Sequence, residues 1–248
     1  MLTLVGLGLS DEKDLTLKGL EAAKSADKVY IELYTGKWFG SLENLSKIIG
    51  KQISELTRKD LEENSNKILQ EAKIKNVVIF VQGDPLVATT HFPLLHDAKK
   101  QLVETKLIHN SSIISAIAET GLHIYKFGPI VTIPFPEKTK GKSPKSIAEI
   151  IKANKKRELH TLCLLDVVSE ESRYMTINQG LQILLSEKII TKKDILVAFA
   201  KAGSDKPLIV YNTVDNLLKK FINEIPAVIV ITGKLHFTEK EYLELYEA

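Results

Sequence analysis

Cysteine is almost absent from this chain: Cys163 stands alone among 248 residues, so no intramolecular disulfide can form and a disulfide-stapled fold is excluded. Arginine is scarce as well, with only Arg58, Arg157 and Arg173 among 34 basic residues, and tryptophan occurs once, at Trp38. Neither sign of charge is in surplus. Thirty-four basic and 31 acidic residues leave a formal +3, spread along the chain, which gives no footprint of a dedicated nucleic-acid binder. No apolar run approaches the roughly 20 residues of a membrane helix. The opening Leu2-Thr3-Leu4-Val5 reads as a strand and not as a signal peptide. No nucleic-acid partner and no membrane association are expected, and the reduced, apolar setting of Cys163 suits a cytoplasmic location.

Motifs for several chemistries are missing too. The six histidines show no His-Glu-x-x-His spacing and one cysteine cannot complete a zinc set, so no metal is expected. There is no Gly-x-Ser-x-Gly elbow, and Cys163 lies in an apolar run, so a nucleophilic hydrolase has no visible centre. Trp38 with Phe39 reads as a packing pair.

What is present is an ordinary globular composition, 44% hydrophobic and 26% charged. Short β-branched runs alternate with amphipathic stretches, which predicts an α/β protein. Strands are expected at 2–7, 28–32, 76–82, 106–110, 159–167, 195–200 and 227–231. Helices are expected at 14–24, 41–49, 59–73, 93–104, 112–119, 145–153, 176–186 and 214–222. Glycine and proline punctuate 127–145 and divide the chain into an N-terminal lobe, 1–122, and a C-terminal lobe, 123–248. The lysines around Lys152, Lys155, Lys156 and Arg157 read as a solvated helix end.

Three strand-end turns carry the functional signal. Gly6-Leu7-Gly8-Leu9 lets backbone approach a nucleotide-like group, yet Asp11 stands where the dinucleotide fingerprint needs glycine, and Asp11 and Glu12 would repel a pyrophosphate. Gly83-Asp84-Pro85 places a carboxylate after the buried run Val77–Val81, where open α/β sheets bind ligands. His109-Asn110-Ser111-Ser112-Ile113 brings small polar residues to a helix start.

Taken in order, Leu4–Leu9, Gly83–His91, Asn110–Ile113, His160–Asp166, Ala202–Ser204 and Gly233–His236 resemble the strings of the diphthine synthases, across the whole chain. The Gly83–His91 string separates that family from the related precorrin methyltransferases. The resemblance implies a two-lobed tetrapyrrole-methylase fold, each lobe a mixed sheet with flanking helices. It implies S-adenosyl-L-methionine bound in the interlobe cleft and a homodimer. It also implies methylation of the amino group of a 3-amino-3-carboxypropyl-histidine on translation elongation factor 2, three transfers giving diphthine. Matching positions imply cofactor contacts at Leu9, Asp84, Val87, Ser112 and Ile113, and in the second lobe at Leu164, Ala202 and Ala227. Thr232, Lys201 and the Asp205–Leu208 segment depart from the family's strings. A precorrin-type methyltransferase and a non-catalytic nucleoside-binding scaffold are the rival readings, and no proton acceptor is assigned.

Overall fold

A computed structural model describes residues 1–141 and 143–247. The chain forms two units, Met1–Ile114 and Ser115–Ala248. The segment 115–122, read from sequence as the end of the first lobe, thus belongs to the second, because the short helix Ile117–Thr120 lies against a strand of the second sheet.

The first unit runs β1 (Leu2–Gly6), α1 (Leu17–Ser25), β2 (Lys28–Glu32), α2 (Leu42–Ile49), β3 (Ile53–Leu56), α3 (Arg58–Glu62), α4 (Ser65–Ile74), β4 (Val77–Val81), α5 (Phe92–Lys100) and β5 (Thr105–Ile108), with α6 (Ile113–Ala116) at the join. The strand order is β3-β2-β4-β1-β5 and every ladder is parallel, so of the two sheets expected to be mixed only the second is. A helix fills each crossover, which is what parallel neighbours require. Both faces are therefore covered, and all five residues of β4 are buried. Leu2, Leu4, Ile79 and Val81 pack with Leu69 and Ala72 of α4 and Leu94 and Ala98 of α5. The alternate positions Val5, Val78, Phe80 and Ile31 pack with Ala23 of α1 and Leu45 of α2. The chain thus leaves β1 toward one face and the adjacent β4 toward the other. Their carboxyl ends flank a topological switch point, the place where such sheets open a crevice.

The second unit runs β6 (Val131–Ile133), α7 (Lys145–Lys156), β7 (Thr161–Leu165), β8 (Val167–Val168), β9 (Arg173–Tyr174), α8 (Ile177–Ser186), β10 (Ile195–Ala200), β11 (Leu208–Thr213), α9 (Val214–Lys219), β12 (Ala227–Ile231) and α10 (Phe237–Glu244). Its main sheet, β11-β10-β12-β7-β6, is antiparallel except for the β6–β7 pair. Cys163, Leu165, Ala198, Ile229 and Ile231 build one core with α7, α8 and α9. The alternate positions Leu162, Val197, Phe199 and Val230 are buried as well.

Helix α10 was not expected, and a buried carboxylate fixes it. Glu239 accepts from the backbone N–H groups of His123 at 2.8 Å and His236 at 2.7 Å, from His160 Nε2 at 3.0 Å, and from Lys126. Gly233 N–H donates to His160 Nδ1 at 2.9 Å, so Nε2 carries the ring proton that Glu239 receives. Burial pushes the Glu239 carboxyl up, yet Lys126 and these N–H donors outweigh it and hold the group at about 2. His236, a member of the quoted Gly233–His236 string, caps α10 with a reciprocal box to Glu239.

Candidate functional site at the carboxyl ends of the parallel strands

The first two turns are stitched together by a pair of backbone hydrogen bonds. Gly8 N–H donates to the Gly83 carbonyl at 3.2 Å, and Gly83 N–H donates to the Gly8 carbonyl at 2.9 Å. Both glycines have positive φ, 82° and 68°, a conformation costly for other residues. Close approach also demands glycine at position 6, where a Cβ would stand 2.5 Å from the Gly83 carbonyl oxygen and 2.7 Å from Asn110 Cβ. Asp14, read from sequence as the first residue of a helix, instead sits in a 3-10 turn. Its Oδ2 accepts the N–H groups of Leu9 at 3.0 Å and Ser10 at 2.7 Å. Leu9, one of the expected cofactor contacts, therefore has its amide directed inward.

Asp84 is 4% exposed and joins the second turn to the third. Its Oδ1 accepts Leu86 N–H at 2.9 Å; its Oδ2 accepts Asn110 N–H at 3.2 Å and meets His109 Nδ1 at 2.8 Å. Asn110 Nδ2 in turn donates to the carbonyls of Gly6 at 2.9 Å and Asp14 at 3.0 Å. The carboxylate that follows Val77–Val81 thus ties two turns together. Leu9, Asp84, Val87, Ser112 and Ile113 are thus brought to one end of one sheet. Val87, Leu9 and Ile113 are half-buried and Ser112 is buried. His109, Asn110 and Asp14, which join these turns, lay outside the expected contact set; the signal for His109 and Asn110 was a polar run directly after β5.

Beneath the second turn lies a buried polar cluster. Glu32, at the end of β2, accepts the Thr35 hydroxyl at 2.7 Å and the N–H groups of Tyr34 at 3.2 Å and Thr35 at 3.3 Å. Desolvation still raises its carboxyl to about 7. His91 Nε2 lies 3.8 Å from Glu32 and 3.5 Å from the Tyr34 hydroxyl, and Nδ1 meets Thr89. Desolvation lowers this imidazole to about 4. His91 thus props the 83–91 turn from below as a neutral ring. Trp38 packs against the α1–α2 side of the core as expected, while Phe39 donates its N–H to the Ser10 carbonyl at 2.9 Å.

In the second unit, β7 and β10 both run antiparallel to β12, so the ends of β7 and β10 meet the start of β12. Leu164 pairs with Val228, Ala200 pairs with Ala227, and Lys201 N–H donates to the Pro226 carbonyl at 2.9 Å. Leu164, Ala202 and Ala227 consequently lie at one end of that sheet, where β7 and β10 finish and β12 begins.

Residues 1–218 match the family model of tetrapyrrole (corrin/porphyrin) methylases. A diphthine synthase from Methanocaldococcus jannaschii is 44% identical over 253 residues, covering 98% of both chains. One from Methanococcus aeolicus is 42% identical, covering 98% of this chain and 97% of that one. The crystal structure of a diphthine synthase superposes with a TM-score of 0.91 at 40% identity, over 99% of this chain and 95% of that one. The chain belongs to the diphthine synthase family.

Diphthine synthases depend on S-adenosyl-L-methionine, and the turns suit it. The residues of the three turns, 6–10, 83–91 and 109–113, include no lysine or arginine, so the site lacks the cationic clamp that a polyphosphate needs. The Gln82 side-chain oxygen, directly after β4, and Trp38 Nε1 are buried without a hydrogen-bond partner in the protein. Among the described residues no cluster of histidine, cysteine and carboxylate side chains could hold a metal ion, and no helix is long and apolar enough to cross a membrane.

Proposed function

We propose that this methyltransferase acts on translation elongation factor 2, placing three methyl groups on the amino nitrogen of a 3-amino-3-carboxypropyl-histidine to give diphthine. The observation that carries the reading is the convergence of three intact family turns at the switch point of a chain 44% identical to a diphthine synthase over its length. Membership of that family makes the chain an S-adenosyl-L-methionine-dependent methyltransferase of diphthamide biosynthesis.

In this reading Leu9, Asp84, Val87, Ser112 and Ile113 of the first unit hold the cofactor, and Leu164, Ala202 and Ala227 add contacts from the second. Asp84 acts by fixing the turns that present backbone and apolar groups. When bound, S-adenosyl-L-methionine supplies an electrophilic methyl on sulfur. The protein's share of the chemistry is to align a neutral amine with that methyl and to exclude water. The enzyme is taken to work in the cytoplasm as a homodimer.

Mass spectrometry of elongation factor 2 bearing the aminocarboxypropyl histidine, after incubation with this protein and S-adenosyl-L-methionine, tests the proposal. The expected result is a mass gain of three methyl groups on the modified histidine. An unchanged mass, while S-adenosylhomocysteine binds in a calorimeter, would redirect the search to another acceptor. Absence of binding heat would favour a scaffold.

A further inference from the structure

Resting on that methyl-transfer reading, we propose that His109 Nε2 is the proton acceptor for the substrate amine, held ready by the Asp84 carboxylate. An amine attacks only through a free electron pair, so its ammonium form must lose a proton before each transfer. Within the three turns, the side chains able to take a proton are Asp84, His91 and His109. Asp84 spends its oxygens on Leu86 N–H, Asn110 N–H and His109. His91 is 1% exposed and pinned between Thr89 and Tyr34. His109, by contrast, has a side chain that is 65% exposed.

The geometry also sets the tautomer. Asp84 Oδ2 already accepts Asn110 N–H, so the 2.8 Å contact with His109 makes Nδ1 the donor, and in the neutral ring the lone pair is then on Nε2. A buried carboxylate that fixes one ring nitrogen while the other faces outward is the arrangement of a histidine general base and its orienting acid. The pair spans the carboxyl end of β1, because β4 and β5 flank that strand on either side. In the step itself, the N–H bond of the substrate ammonium breaks and leaves its electron pair on nitrogen. The proton bonds to His109 Nε2, the imidazolium keeps Nδ1–H on Asp84, and water then takes the Nε2 proton. A fully methylated nitrogen bears no proton, so the demand ends with the last transfer.

The test uses His109→Asn, whose amide N–H can replace the Nδ1 donor to Asp84 without offering a base, and His109→Ala. For His109→Asn, unchanged melting and S-adenosylhomocysteine binding within twofold of the unsubstituted enzyme are expected, with single-turnover transfer to aminocarboxypropyl elongation factor 2 slowed by about 10²–10⁴-fold. For His109→Ala, added imidazole should restore part of the rate. Nitrogen-15 spectra of the free protein should show the His109 ring protonated at Nδ1. Transfer by His109→Asn at the full rate, loss of S-adenosylhomocysteine binding in that variant, no rescue of His109→Ala by imidazole, or a ring protonated only at Nε2 would each overturn the assignment. Failure of the unsubstituted enzyme to bind S-adenosylhomocysteine would instead remove the cofactor reading, and this proposal with it.

Discussion

Truncating Asp84 to alanine strands three donors at once: the N–H groups of Leu86 and Asn110 and the ring of His109. The exposed His109 ring can turn to water, but leaving the part-buried Leu86 and Asn110 donors without partners costs about 1–3 kcal/mol, so Asp84→Ala is expected to lower urea-unfolding stability by that amount and to weaken S-adenosylhomocysteine binding in parallel. Weaker binding with unaltered stability would show the carboxylate acting on the ligand directly. Gly6→Ala is expected to be at least as damaging, since the added methyl meets backbone at 2.5 Å and neither turn can retreat without breaking the Gly8–Gly83 pair. Circular-dichroism melts of that variant should show a lower midpoint. At this scale the sequence disclosed where the turns lie but not how they are joined. Gly6, Gly8, Gly83 and Asp84 stood out because turns at strand ends select such residues. The bonds from Asn110 to Gly6 and Asp14 cross between distant segments, and the 3-10 turn that aims Asp14 at Leu9 and Ser10 is read in the sequence as the start of a helix.

Pairs of elements are held by two buried carboxylates with opposite titration behaviour. Glu32, raised to about 7, binds its proton more tightly folded than unfolded, so its contribution falls as pH rises from 4.5 toward 7. His91, lowered to about 4, binds its proton less tightly folded, so its contribution rises between pH 4 and 6.5. The two slopes oppose each other. Glu32→Gln should therefore expose the His91 limb: stability measured in urea should climb with pH from 4 to 6.5, by up to about 1.4 kcal/mol per pH unit, where the unsubstituted protein stays flatter. Glu239 titrates the other way. Its group, held at about 2, stabilises the fold above pH 4.5, and that stabilisation is lost as pH falls toward 2. Glu239→Ala leaves Lys126 and His160 facing a void and should cost about 3–5 kcal/mol at neutral pH, read from urea unfolding.

Most elements that escaped the sequence have weak patterns, although β11 went unread despite its Leu-Ile-Val-Tyr run. Strand β3 has only Ile53 and Leu56 as apolar positions, and β6 hides within the Gly/Pro-rich stretch that reads as a linker. Helix α10 buries only Glu239 and Leu243, one of them charged. The helix expected over 59–73 breaks into α3 and α4, because a capping box at Thr57 starts one and Asn64 starts the other. The same Thr-x-x-Asp pattern at Thr191–Asp194, where Asp194 accepts from the Thr191 N–H and hydroxyl, precedes a strand, so the pattern alone does not decide between helix and strand.

For the molecule as a whole, the strong periodicities carried the α/β class and the existence of two units, while the boundary slipped because the join itself is helical, at α6. The last helix belongs to the second unit's integrity and is no loose tail, for Leu243 is fully buried and Glu239 anchors residues 123, 126 and 160. A chain ended at Thr232 is expected to be cut rapidly within residues 115–232 by a trace of trypsin under conditions where the full chain resists; equal resistance would refute that dependence. The two rarest residues fall one to each unit. Trp38 lies in the first, and Cys163, fully buried with its thiol pushed up to about 12, lies at the centre of the second. Indole emission and alkylation by iodoacetamide therefore watch the two halves come apart independently, with no probe introduced, and can time which yields first.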